Sequence, residues 1–257
     1  MSRYRKDNLV LAVDIGSSKT HLATVDAEKL KCLKKDQIDN DQIHSIFTSV
    51  LKSHTDLFPS IIHKVNISSC IRKLSTDITD ICSHKGFQDI RTVKVGNFLP
   101  VTFHYQNPES LGSDRVADCL ACNRLFKGEN CIIIDSGTAI TIDFLREGKV
   151  FEGGAILAGI GLQLKALHKN TDVLPLPQLA ENITPALPGK STVQGITSGV
   201  LYATAGAVER CVREYKKKYG PDILTIATGG GWPFTEKLVD FEYVHLPELT
   251  LIGTACF

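Results

Sequence analysis

The chain has 257 residues, of which 43% are hydrophobic and 22% charged, and its formal net charge is +1. That length holds one large domain or two of about 100–150 residues, and the composition is that of an ordinary globular protein. The near-neutral balance gives no general electrostatic basis for binding nucleic acid or a membrane surface. The longest apolar stretch, Gly153–Leu162, is well below the roughly 18–20 residues that span a bilayer.

In chain order, Met1–Lys6 is basic, but the apolar run after it, Leu9–Val13, is shorter than the about 7–15 residues of a signal-peptide core. A cytoplasmic protein is expected, with its eight cysteines as reduced thiols. Leu9–Val13 runs into Asp14-Ile15-Gly16-Ser17-Ser18-Lys19-Thr20. This reads as a buried strand, a tight turn and an alternating hairpin partner. Gly16 lets the backbone turn and brings amide N–H groups towards an anion, Ser17 and Ser18 add hydroxyl donors, and Asp14 can hold Mg²⁺ directly or through water. Lys29–Lys35 reads as a basic, solvated edge. Asn40–Leu51 carries Ile43, Ile46, Phe47, Val50 and Leu51 at helical spacing, with Asp39 or Asn40 as N-cap. Ile61–Ile67 reads as a strand running into Ser68-Ser69, Ser75–His84 as a helix and Arg91–Val95 as a short strand. This β/α alternation suits a mostly parallel sheet.

Gly96–Pro108 breaks the pattern and leads into Ser110-Leu111-Gly112-Ser113-Asp114-Arg115, where a helix begins. Asp at a helix start is either a cap or a chemical group, and Arg115 beside it offers a planar donor fork suited to a carboxylate. Cys119 and Cys122 stand within the expected helix Asp114–Leu125, without a second Cys or His pair, and read as small core residues.

Cys131–Phe144 then repeats the opening pattern: Ile132-Ile133-Ile134 runs into Asp135-Ser136-Gly137-Thr138-Ala139-Ile140-Thr141. Gly153-Gly154 precedes an apolar segment, and Ala158-Gly159 opens a helix to about His168. Glycines there either admit a phosphate or allow close packing. Thr171–Pro175 and the Pro-rich run to Pro188 form a long connection. Ser191–Lys218 is helical, with a break near Thr197-Ser198-Gly199, and its basic end is a solvated face. Ile223–Ala227 is a strand followed by Thr228-Gly229-Gly230-Gly231, a turn on which an adenosine moiety could rest.

One Asp-Gly strand end is ordinary turn chemistry. Two indicate a duplicated α/β unit, with halves 1–128 and 129–257. That is the signature of the actin-like, sugar-kinase-like ATPase superfold, whose active site lies between the halves.

The ordered set of motifs resembles the type III pantothenate kinase family, which includes the Bvg accessory factor homologues, over nearly the whole chain. Asp14–Thr20 resembles its DxGNT segment. Tyr105-Gln106-Asn107-Pro108 with Gly112-Ser113-Asp114-Arg115 resembles YxNP…GxDR, and Asp135–Asp143 resembles DxGTAxTxD. Gly153–Gly159 is similar to GGxIxPG, Thr171–Pro175 to TAxLP, and Thr192–Gly199 and Thr228-Gly229-Gly230 to the later Thr/Gly motifs. The resemblance implies ATP-dependent phosphorylation of pantothenate, the first step towards coenzyme A, with Asp114 as general base. It implies pantothenate contacts from Tyr105, Gly112, Arg115 and, across a homodimer, Thr171. Asp14, Gly16, Ser17, Ser18, Gly137 and Thr138 would line the phosphates and Mg²⁺, and Asp135 would hold a monovalent cation, K⁺ or NH₄⁺. Ser17-Ser18 replaces Asn-Thr, Ala158 replaces Pro, and Lys19 either adds charge near the phosphates or is solvated. The alternatives are a kinase of the same superfold acting on a sugar, and a non-catalytic regulatory homologue.

Overall fold

The computed structural model describes residues 8–58, 62–180 and 183–257. The basic Met1–Lys6, the expected strand start at Ile61 and part of the Pro-rich connection lie outside them. The strands are β1 (Leu9–Ile15), β2 (Lys19–Asp26), β3 (Lys31–Asp39), β4 (Lys64–Ser69), β5 (Asp89–Thr92), β6 (Thr102–Phe103), β7 (Cys131–Ser136), β8 (Ala139–Arg146), β9 (Val150–Ala158), β10 (Leu224–Thr228) and β11 (Val244–His245). The helices are α1 (Ile43–Leu57), α2 (Arg72–His84), α3 (Ser113–Leu125), α4 (Ile160–Lys169), α5 (Thr192–Tyr219) and α6 (Leu249–Ala255). Among the described residues no helix is long and apolar enough to cross a membrane.

The chain forms two compact units. Unit 1 is Met1–Gly128 with Arg146–Glu152 and Glu248–Phe257; unit 2 is Glu129–Leu145 with Gly153–Pro247. The unit 1 sheet has the order β3-β2-β1-β4-β5. β1 and β2 are antiparallel, as are β2 and β3, while β4 and β5 continue parallel to β1. The order β9-β8-β7-β10-β11 repeats this topology, with β7 and β8 antiparallel and β10 and β11 parallel to β7. The duplication expected from the two Asp-bearing hairpins is therefore a duplication of a five-strand order, to which the second sheet adds β6 beyond β9.

Alternation along β1 explains how unit 1 is layered. Leu9, Leu11, Val13 and Ile15 point to a core with Ile43, Phe47 and Leu51 of α1 and Leu74 and Ile78 of α2. Val10 and Ala12 point the other way, against Leu251 and Ala255 of α6. α6 also lies close on α3: a Cβ at Gly253 would come within 1.8 Å of the Ala117 carbonyl oxygen. In unit 2, Ile132 and Ile134 pack with Phe144 and with Val208 and Val212 of α5.

Three local expectations are corrected or refined. The basic edge is a nine-residue strand, β3, whose polar side chains line an outer edge of the sheet. α5 runs unbroken through Thr197-Ser198-Gly199, because the Ser198 hydroxyl is satisfied by the Ala186 carbonyl (2.8 Å) and both Thr197 and Ser198 are buried. The helical segment opens, as expected, with Asp39 at its N-cap position, but as a 3-10 turn, Asn40–Gln42, that runs into α1, and Asp39 makes no side-chain cap bond.

Candidate active site

The parallel register of β1 and β4 sets Asp14 opposite Ser68 at the strand ends. Asp14 is half-buried, and its carboxyl is pushed up to about 7. Burial is the largest cause and the Asp114 charge the next, with a hydrogen bond from Ser68 opposing them. Asp114 comes there because α3 is clamped to β4. Ser113 Oγ accepts from the Ser69 N–H (2.7 Å), donates to the Ser69 carbonyl (3.0 Å) and lies 3.2 Å from Ser68 Oγ. Asp114 is the second residue of α3, and its Oδ1 accepts from the Arg115 N–H at 2.8 Å. The N-cap is Gly112, where a Cβ would stand 2.4 Å from Asp114 Oδ1, so a side chain there would push the carboxylate away.

The Arg115 guanidinium is buried beside two neighbouring rings, 5.7 Å from the Tyr105 centroid and 5.3 Å from that of Phe151. β6 pairs with the start of β9, setting Phe103 opposite Phe151, and this brings the latter ring under Tyr105. Tyr105, Gly112, Asp114 and Arg115 thus form one group. Ser68, Ser69, Ser113 and Phe151 complete it, although nothing in the sequence pattern pointed to them. Cys70 adjoins the hairpin turn, its Sγ donating to the Ile15 carbonyl (3.2 Å) and lying 3.7 Å from Ser17 Oγ.

In unit 2 the turn of the second hairpin is held by backbone bonds. Gly137 N–H donates to the Ala139 carbonyl (2.9 Å), and Gly159 N–H donates to the Thr138 carbonyl (2.9 Å). A Cβ at Gly159 would lie 2.2 Å from Gly137 O and 2.4 Å from Thr138 O, so Gly159 is there for close packing. Gly231 N–H donates to the Ser136 carbonyl (2.7 Å). Gly229, at φ +87°, leaves no room for a Cβ beside Asp135 Oδ1 and Ser136 O, whereas Gly230 faces open space. Thr171 is exposed at the end of α4, and its hydroxyl donates to the Leu167 carbonyl (2.8 Å). Among the described residues no group of three or more His, Cys, Asp or Glu is arranged to hold a metal ion.

The two hairpins share a sequence spacing but not a turn. Paired Ile15 and Thr20 flank four residues, Gly16–Lys19, whereas paired Ser136 and Ile140 flank three, Gly137–Ala139. Thr20 therefore pairs beside its turn, while Thr141 pairs with Asp135.

Two sheets of one topology, each opening on an Asp-bearing hairpin, define the actin-like, sugar-kinase-like ATPase superfold. The solved structures agree. A conserved Campylobacter jejuni protein assigned to the Baf family of transcriptional activators aligns with a TM-score of 0.60 at 20% identity, covering 95% of this chain and 94% of its own. An inorganic polyphosphate/ATP-glucomannokinase of Arthrobacter sp. strain KM aligns with a TM-score of 0.50 at 14% identity, covering 97% of each chain. The sequence profile of the type III pantothenate kinases matches residues 10–214, and the chain belongs to that family. A type III pantothenate kinase of Legionella pneumophila (strain Paris) is 29% identical over 249 residues, 95% of this chain and 96% of its own.

Proposed function

We propose that the protein transfers the γ-phosphoryl group of ATP to the primary hydroxyl of pantothenate, the reaction its family is named for and the first step towards coenzyme A. The observation that carries this reading is the pairing of Asp114 with Arg115 at the start of α3, the first beside Asp14 and the second against Tyr105 and Phe151. A guanidinium held against aromatic rings is suited to the pantothenate carboxylate. The adjacent Asp114 then takes the hydroxyl proton as that oxygen attacks the γ-phosphorus and ADP leaves. A sugar acceptor has no carboxylate for Arg115, and a purely regulatory protein has no need of a clamped carboxylate at Asp114.

Gly16, Ser17, Ser18 and Lys19 of the first turn, and Gly137 and Thr138 of the second, are the groups assigned to the ATP phosphates. Gly229 and Gly230 are assigned to the adenosine side; Gly230 faces open space, and Gly229 has no room for a Cβ. Asp14 and Asp114 repel one another, a donor set that a divalent cation suits. Asp14 would hold Mg²⁺, directly or through water, and the ion when bound would neutralise charge on the phosphates. Asp135 is assigned a monovalent cation, K⁺ or NH₄⁺.

The protein is further proposed to work in the cytoplasm as a homodimer, with Thr171 serving the partner's pantothenate site. Ile156, Leu162, Leu167, Val173 and Leu187 of unit 2 are exposed apolar side chains of the kind a second copy would cover. The test is ADP release by the purified protein with pantothenate, with a panel of sugars and with no acceptor. Release with pantothenate alone is expected, and it should fall when K⁺ is replaced by Na⁺ at constant ionic strength. Equal release with a sugar, or none with pantothenate, overturns the assignment; equal rates in the two salts remove the cation from it.

A further inference from the structure

Each hairpin turn has to keep its shape while its other face meets phosphate, and the two turns are held differently. The second is anchored by the backbone of Gly159, as described above. The first contains one residue more between its paired strand ends, and its anchor is a single residue, through its side chain and its backbone N–H. Asn40 Nδ2 donates to the Gly16 carbonyl (2.8 Å), Asn40 Oδ1 accepts from the Thr20 hydroxyl (2.7 Å), and the Asn40 backbone N–H donates to the Ser18 carbonyl (3.0 Å). Gly16 N–H closes the turn on the Lys19 carbonyl (2.9 Å). Thr20 is fully buried and Asn40 half-buried, so the anchor sits behind the turn, while Ser17, Ser18 and Lys19 are exposed.

We propose that Asn40 is a positioning residue for ATP. It draws the carbonyl oxygens of Gly16 and Ser18 back from the phosphate-facing side of the first turn and fixes the four-residue loop in the form that accepts the anion. This rests on the kinase reading of the first hairpin. The physical need is plain: a carbonyl oxygen turned towards a phosphate oxygen repels it, and a four-residue turn has more ways to do so than a three-residue one. Asn supplies the donor for Gly16 and the acceptor for Thr20 from one planar group, which neither Ala nor Asp can do.

The test compares Asn40→Ala and Asn40→Asp with wild type for nucleotide binding without acceptor, for KM of ATP and pantothenate, and for melting temperature. Asn40→Ala should raise the ATP KM about fivefold to tenfold, as loss of one or two hydrogen bonds implies, with the pantothenate KM unchanged. Asn40→Asp should raise it further, because it loses the donor to Gly16 and brings a negative charge towards the phosphates. A merely structural role predicts the opposite order, since Asp keeps the Thr20 bond and the shape. An unchanged ATP KM in both variants, or a milder effect of Asp than of Ala, overturns the proposal. Equal nucleotide binding by wild type and variants overturns it alone, whereas no nucleotide binding by wild type overturns the kinase reading with it.

Discussion

Asp114 raises the carboxyl of Asp14, which burial already pushes up, to about 7. The Ser113–Ser69 clamp between α3 and β4 keeps the start of α3, and with it Asp114, at the strand ends where Asp14 stands. Near neutral pH the site therefore favours a proton or a cation at Asp14.

The first prediction follows from that competition. As pH falls through about 7, Asp14 takes up a proton, and binding of a divalent cation should weaken. In Asp114→Asn one cause of the raised value is removed, so the midpoint should move to lower pH. Mn²⁺ binding followed by electron paramagnetic resonance between pH 5.5 and 8 measures both midpoints. An upward shift in the variant would contradict the coupling.

Gly159 tests the second hairpin. A Cβ there would overlap the Gly137 and Thr138 carbonyl oxygens, so Gly159→Ala has to displace the turn. Overpacking of this kind costs about 1–3 kcal/mol. The ATP KM should rise about tenfold or more if the turn meets phosphate. A destabilised variant with unchanged ATP KM would remove Gly137 and Thr138 from the nucleotide site.

His54 gives unit 1 a pH-dependent stability. It is fully buried, accepts or donates at Nδ1 with Thr24 Oγ1 (2.7 Å), and lies 3.0 Å from Asp36 Oδ2, outside hydrogen-bond geometry. Burial, then Lys34, lowers its pKa below the ordinary 6.5, with Asp36 opposing. The unfolded chain therefore binds the proton first, and the His54 contribution is full above about 6.5 and lost as pH falls towards the folded value. Asp14 acts in the opposite sense over part of this range, so the measurement is the difference in urea midpoint between wild type and His54→Gln. That difference should narrow from pH 7.5 to 5.5. Widening would mean that Asp36 dominates the imidazole.

Much of this architecture is legible in the sequence because it is periodic. The runs into Asp14 and Asp135, the α1 face and the α2 face all show the spacing of the element they form. β3 is not legible because its alternation is polar, as an outer edge allows. α6 is too short to show a period, and its place is set by Val10 and Ala12, which lie at the other end of the chain. Asp114 and Arg115 stand out by type and adjacency. Ser68, Ser113, Phe151 and Asn40 do not, since serine, phenylalanine and asparagine have commoner uses and their roles here come from strand register.

The homodimer predicts intersubunit complementation. If Thr171 serves the partner's site, mixing Asp114→Asn with Thr171→Ala protein, under conditions shown to exchange subunits, should restore part of the activity. Exchange without rescue would place Thr171 outside a shared site.

The most direct measurement is the turnover of pantothenate by Asp114→Asn. The side chain keeps its size, and its Oδ1 can still accept the Arg115 N–H, so the fold and the start of α3 should be preserved. Removal of a general base costs about 10²–10⁴-fold, and a loss of that size in kcat, with an unchanged melting profile and retained ATP binding, is the expected result. Normal turnover in the folded variant would contradict the account, leaving Asp114 as no more than an acceptor for the first turn of its helix.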